Sequence, residues 1–124
     1  MYQVTVKQHF DAAHYLRDYH GRCENLHGHR YEVAVTLRAA ALDVTGLAFD
    51  FTELKRVLKD RFLARYDHAC LNDLPPYTEI NPSAENIART IYEGLREALG
   101  QAGAVLQSVT VWESPDSWCT YTPD

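Results

Sequence analysis

The chain has 124 residues and a formal charge of −5, with 46% hydrophobic and 23% charged residues, enough for a single domain (1–124) with its own core. The acidic balance excludes a nucleic-acid surface, whose affinity rests on Lys and Arg against phosphates. Three cysteines without tight spacing, Cys23, Cys70 and Cys119, argue against a disulfide scaffold, and no apolar run reaches membrane-spanning length, so a soluble, cytoplasmic protein with no membrane contact is expected.

Tyr2 to Phe10 alternates, with Val4, Val6 and Phe10 on one face and Gln3, Thr5, Lys7 and His9 on the other, which predicts a half-exposed strand. Residues 15–26 lack periodicity and read as a loop. Arg30 to Arg38 resumes the alternation, with Tyr31, Val33, Val35 and Leu37 on the apolar side, and predicts a second strand. Asp43-Val44-Thr45-Gly46 predicts a turn, followed by a short return segment over Leu47 to Phe49. Asp50-Phe51-Thr52-Glu53 has the spacing of a capping box. Phe51, Leu54, Leu58 and Phe62 then predict a helix of about 14 residues ending near Tyr66-Asp67-His68. A Pro- and Asn-rich connection over 72–82 leads to a second helix, with Pro82 in its first turn and Ser or Asn as its cap. Its stripe is Ile87, Ile91, Leu95 and Leu99, and Gly100 and Gly103 stop it. Val105 to Glu113 and Trp118 to Thr122 predict the last two strands. The order strand, strand, helix, helix, strand, strand implies an α+β domain, a four-stranded antiparallel sheet with two helices on one face and the other face left for a partner.

The densest chemistry lies in Cys23-Glu24-Asn25-Leu26-His27-Gly28-His29. In an extended chain His27 and His29 leave the same face, and imidazole is the commonest zinc ligand. A catalytic zinc takes three protein ligands and keeps one position open, and His14, at the end of the first strand, is the best third candidate. A His-x-His pair alone is a weak signal, since strand histidines are often plain surface or core residues. It gains weight because three of the chain's six histidines and a thiol crowd one region. Cys23 is a fourth ligand, a base or a nucleophile on this reading, or else a small buried apolar group. Asp67-His68 reads as a proton relay or as charges suited to a helix end. Glu113 shares a face with Val109 and Val111, an odd place for a carboxylate, and can accept two N–H donors from a flat heterocycle. Lys7, Arg17 and Arg22 are basic groups available to an anionic ligand.

Together these residues resemble the 6-pyruvoyl-tetrahydropterin synthase family over nearly the whole chain. Cys23-Glu24-Asn25-Leu26-His27-Gly28-His29 resembles its Cys-x-x-x-His-Gly-His motif, and Phe10-Asp11-Ala12-Ala13-His14 its first zinc-ligand stretch. Tyr66-Asp67-His68, Asn81-Pro82-Ser83-Ala84-Glu85-Asn86 and Trp112-Glu113-Ser114 resemble its later motifs, with Ser83 where Thr is more usual. The resemblance implies the tunnelling fold, with sheets joined into barrels as trimers or hexamers and sites at subunit boundaries. It implies Zn2+ on His14, His27 and His29, Cys23 as proton acceptor, His68 with Asp67 as relay, and Glu113 on the pterin. The three residues between Cys23 and His27 resemble the bacterial branch that makes 6-carboxy-5,6,7,8-tetrahydropterin. That branch converts 7,8-dihydroneopterin triphosphate in queuosine biosynthesis, a lyase reaction that releases acetaldehyde and triphosphate. The alternatives are 6-pyruvoyl-tetrahydropterin formation, without side-chain cleavage, and a non-catalytic zinc- or pterin-binding module.

Overall fold

The computed structural model describes residues 1–100 and 104–124. Two long strands, β1 (Tyr2–His14) and β2 (His27–Ala39), pair antiparallel along their whole length, from Tyr2 opposite Ala39 to His14 opposite His27. β1 thus runs four residues past the expected Phe10, because Ala12 and His14 keep the inward alternation. After α1 (Phe51–Leu58), a π-helical turn (Lys59–Leu63) runs into a short last turn, α2 (Ala64–Tyr66). A two-residue strand, β3 (Ala69–Cys70), follows, then α3 (Ala84–Leu99), β4 (Val105–Ser114) and β5 (Ser117–Tyr121).

The sheet order is β3-β1-β2-β4-β5, so the fold is α+β but the sheet has five strands rather than four. The extra strand is parallel: Ala69 and Cys70 pair with Ala12 and Ala13. Two residues show no periodicity, so only the tertiary pairing defines it. Among the described residues, β5 and most of β1 each keep one unpaired edge.

The helices cover one face. Phe10, Tyr31, Val33, Val35, Val109 and Val111 point into it and meet Leu54, Leu58, Ile87, Ile91 and Leu95. Each Val, Leu or Phe side chain buried there contributes roughly 1.5–3 kcal/mol of transfer free energy. Phe10 stacks on Tyr31 at 4.8 Å. Gly94 lies where a Cβ would overlap the tip of the Phe62 ring, so the first helix can press closely on α3. The opposite face is polar: Thr5 meets Thr36, Thr110 meets Thr120, and Lys7 pairs with Glu32 at 3.1 Å and lies over Trp112. Lys7 is thereby committed to the face away from the histidines.

Several local expectations change for identifiable reasons. No strand forms over Leu47 to Phe49, because the Asp43 carboxylate accepts from Thr45 N, Thr45 Oγ1 and Leu47 N and satisfies the turn locally. Asp50 caps α1 by accepting from Thr52 N at 2.9 Å. Glu53 does not close the box, since it holds Arg56 on the next turn instead. Phe51 is half exposed, and the inward stripe shifts to Leu54, Val57 and Leu58, then Phe62, Leu63 and Tyr66, around the wider π turn. Ser83 caps α3 by accepting from Asn86 N, which puts Pro82 before the helix rather than in its first turn. Gly100 ends α3 with φ of 59°, while Gly103 lies outside the described residues. No helix among the described residues is long and apolar enough to cross a membrane.

Candidate metal centre

The register of the first hairpin builds the site. His14 stands directly opposite His27, and His29 is opposite Ala12 two pairs further in. Directly opposed and diagonal residues on one face of an antiparallel pair touch, so the three rings form a near-equilateral triangle. Their centroids lie 4.6, 5.1 and 4.9 Å apart. One ring nitrogen from each falls within 4.8 Å of the others, so the three histidines can hold a metal ion. The cluster caps the end of the core face, beside Tyr31.

The outer bonds of two rings fix their tautomers. His14 Nδ1 donates to the Pro82 carbonyl at 2.8 Å, and His27 Nδ1 to the Asn25 carbonyl at 2.6 Å. A carbonyl only accepts, so Nδ1 carries the proton and Nε2 presents its lone pair, the arrangement of a metal-ligating histidine. His14 Nε2 and His29 Nε2 are buried with no hydrogen-bond partner. Buried polar atoms are rarely left so, and a metal ion is the partner their chemistry fits. Burial lowers the His29 pKa, and the neighbouring His14 and His27 add to this against the opposing pull of Glu113. The ring therefore stays neutral, as a ligand must.

Glu113 reaches the site by alternation with Val109 and Val111 on the inward face of β4, at a bulge. Trp112 pairs with Trp118 and Ser114 with Ser117, which leaves Glu113 as the extra, unpaired residue of β4. Bulges re-aim side chains beside functional sites. Its Oε1 reaches within 3.3 Å of His14 Nε2 and 3.6 Å of His29 Nε2. With its proton on Nδ1, His14 has no N–H to give this oxygen, and the contact is not a hydrogen bond. The Tyr31 hydroxyl is also buried without a partner, and burial, followed by the Glu113 charge, pushes its pKa far up.

Asp67 and His68 lie beyond α2. Asp67 Oδ1 accepts from Asp11 N at 2.9 Å, His68 N donates to Asp11 O at 2.6 Å, and His68 Nδ1 stands 3.1 Å from Asp67 Oδ2. The His68 backbone has φ of 61°, and its side chain is 80% exposed. His68, Cys70, Asp11 and Arg30 line an open cavity of about 570 Å³ that also reaches His29. Cys23 is half-buried in an otherwise exposed 3₁₀ turn, Arg22–Glu24, outside the three-histidine cluster. Among the described residues, no hydrogen bond or ion pair joins Cys23 to Asp67 or His68.

Residues 3–124 match the family model described as 6-pyruvoyl tetrahydropterin synthase. The chain belongs to this family. It is 31% identical to the 6-carboxy-5,6,7,8-tetrahydropterin synthase of Bacillus subtilis, over 98% of this chain and 86% of that protein. It is 29% identical to the 6-pyruvoyl tetrahydrobiopterin synthase of Homo sapiens, over 96% and 90%. The 6-pyruvoyl tetrahydropterin synthase structure of Caenorhabditis elegans superposes with a TM-score of 0.85 at 29% identity, over 100% of this chain and 98% of that one.

In this tetrahydropterin synthase family member the sequence reading left several supports unseen. Asn72 Oδ1 accepts from Tyr15 N and its Nδ2 donates to Tyr15 O, both at 3.0 Å. Asn81 makes the same pair of bonds with Arg17. The loop after His14 is thus strapped to the connection before α3 by two amide side chains. The Asn-rich composition of 72–82 marked a connection but not what it would grip. Arg17 also donates to Ile80 O and packs on Tyr15, so the strap holds it.

Proposed function

We propose that this protein converts 7,8-dihydroneopterin triphosphate to 6-carboxy-5,6,7,8-tetrahydropterin, releasing acetaldehyde and triphosphate, as a zinc-dependent lyase of queuosine biosynthesis in the cytoplasm. The observation that carries the reading is the trio His14, His27 and His29, with two tautomers fixed for metal binding and Glu113 beside them. Zinc is the reading of this all-imidazole set, and when bound it supplies Lewis-acid polarisation of the substrate's side-chain oxygens.

The chain's own residues supply the rest. Glu113, an acceptor when ionised, accepts the two N–H donors of the pterin's amino-pyrimidine edge. Cys23 takes a carbon-bound proton from the substrate side chain. His68, oriented by Asp67, carries that proton onward. No hydrogen bond joins Cys23 to His68 among the described residues of one chain, and His68 is exposed, so a second copy completes the relay. The unpaired edges of β1 and β5 support a homo-oligomer, a trimer or hexamer closed into a barrel with sites at its subunit boundaries.

The test is mass spectrometry of products from the zinc-loaded protein and 7,8-dihydroneopterin triphosphate, with an acetaldehyde assay. Carboxytetrahydropterin with acetaldehyde is expected. A second reading, 6-pyruvoyl-tetrahydropterin formation, is favoured by the near-equal identity to the Homo sapiens relative, and it gives a pyruvoyl product without acetaldehyde. No turnover by metal-loaded protein overturns both and leaves a binding module.

A further inference from the structure

The position of Glu113 carries more than a pterin contact. Its Oε1 stands 3.3 and 3.6 Å from two histidine nitrogens, yet neither Nε2 is hydrogen-bonded. With the His14 proton on Nδ1, its Nε2 has no N–H to offer this oxygen. Two ligands of one tetrahedral ion, each about 2.0–2.2 Å from it, stand roughly 3.3–3.5 Å apart, each off the other's lone-pair axis. The carboxylate oxygen, at 3.3 and 3.6 Å from the two nitrogens, is close to that spacing.

Charge gives a second argument. The Glu113 side chain is about two-thirds covered, at 35% exposure, and among the described residues its only ion-pair contacts are His14 and His29. No Lys or Arg meets it. A largely covered carboxylate beside neutral imidazoles lacks a counter-charge, and a buried charge is costly unless paired. A divalent ion inside the triangle supplies one. Alternation along β4 puts Glu113 on the inward face with Val109 and Val111, and the register shift at this position leaves it without a partner on β5.

We propose that Glu113 is the fourth ligand of the metal in the substrate-free protein, and that a bound pterin draws its carboxylate away. The site is then closed at rest and opens a coordination position only when the ring is in place. Glu113 makes no ion pair with His27 among the described residues, so it approaches along the His14–His29 edge of the triangle. The release half of the proposal rests on the reading of Glu113 as pterin anchor given above; the ligand half does not.

The test compares the full-length protein with Glu113→Gln and Glu113→Asp, without substrate. Zn2+ affinity is read by competition with a chromophoric chelator, and coordination by the visible absorption of the Co2+-loaded proteins. Removal of a ligand is expected to weaken Zn2+ by at least about tenfold, as loss of an outer-shell partner already costs 10–100-fold, and to change the Co2+ bands. Glu113→Asp keeps the charge but draws the carboxylate back by one methylene, so it too is expected to lose affinity. Equal affinity and equal bands in wild type and Glu113→Gln overturn the ligand assignment. So does full retention by Glu113→Asp alongside loss in Glu113→Gln, since charge alone would then account for the effect. Adding 7,8-dihydroneopterin to the wild type is expected to shift its Co2+ bands, while binding with unchanged bands overturns the release. If the wild type fails to bind 7,8-dihydroneopterin, the pterin reading and the release fall, and affinity and bands in its absence still decide the ligand assignment.

Discussion

Asn72→Ala is the substitution that most directly tests how the metal centre is held. Asn72 is 4% exposed, and its amide makes two 3.0 Å hydrogen bonds to the backbone of Tyr15, the residue after His14. Alanine deletes both partners and leaves a part-buried N–H and C=O without replacements. Each net hydrogen bond contributes about 1 kcal/mol, and an orphaned group adds desolvation of about 1–3 kcal/mol. Water can reach the Tyr15 side of the strap in part, so about 2–3 kcal/mol is expected. For a domain of this size that lowers Tm by roughly 8–12 °C. Urea unfolding of the metal-free protein gives the cleanest reading, with Cm reduced and m unchanged. The same variant should weaken Zn2+, since His14 loses the anchor of its following peptide while keeping its bond to Pro82 O. A stability change within about 0.5 kcal/mol, the range of an ordinary surface substitution, would refute the strap.

His27→Ala is expected to lose stoichiometric metal and turnover together, whereas Cys23→Ala keeps the metal and loses turnover; metal analysis alongside the product assay separates them. Asp50→Ala removes the side chain that accepts from Thr52 N and should cost about 1 kcal/mol in urea unfolding, with metal content unchanged. The Asp67 carboxyl is held below its ordinary value, first by the Asp11 amide and then by His68. A depressed folded pKa stabilises above the unfolded value, near 3.8, and the gain is lost as pH falls through the folded one. Asp67→Asn should therefore flatten the acid limb of Cm against pH below about pH 4, and an unchanged limb would remove the assigned cause.

The alternating strands and the amphipathic helices were legible because burial on one face imposes periods of two and 3.6 that a single sequence displays. The histidine trio was legible for the same reason: His27 and His29 share a face by alternation, and antiparallel pairing brings the end of β1 beside them. Three features were not. The bulge at Glu113 depends on how β5 pairs, which no local pattern in Trp112-Glu113-Ser114 encodes. The parallel pairing of Ala69 and Cys70 is too short to carry a period. The Asn72 and Asn81 straps join residues 57 and 64 positions apart, and an amide that bonds backbone leaves no compositional trace of its partner. Pro82 shows how a small shift matters: one residue outside the helix, its carbonyl remains available to His14.

The three-histidine cluster and the core occupy one continuous face, and this decides how each depends on the other. From Val6 through Phe10 and Ala12 to His14, β1 turns the same side inward, and β2 does so from Leu37 back through Tyr31 to His29 and His27. The apolar part of that face is covered by α1 and α3 and contributes its transfer free energy without any ion. The last cross-strand pairs exchange apolar side chains for imidazoles, which gain little from burial alone and leave Nε2 atoms without partners. The protein thus places its unsatisfied groups where the core ends, close to an open cavity and to the exposed His68, rather than in its centre. A ligand that binds only the folded state stabilises it by mass action, about 4 kcal/mol when present at a thousand times its Kd. That gain adds to a fold already held by its apolar face. The histidines can therefore be spent on chemistry, because the scaffold that sets their register, thirteen paired residues of β1 and β2, is secured elsewhere along the same two strands.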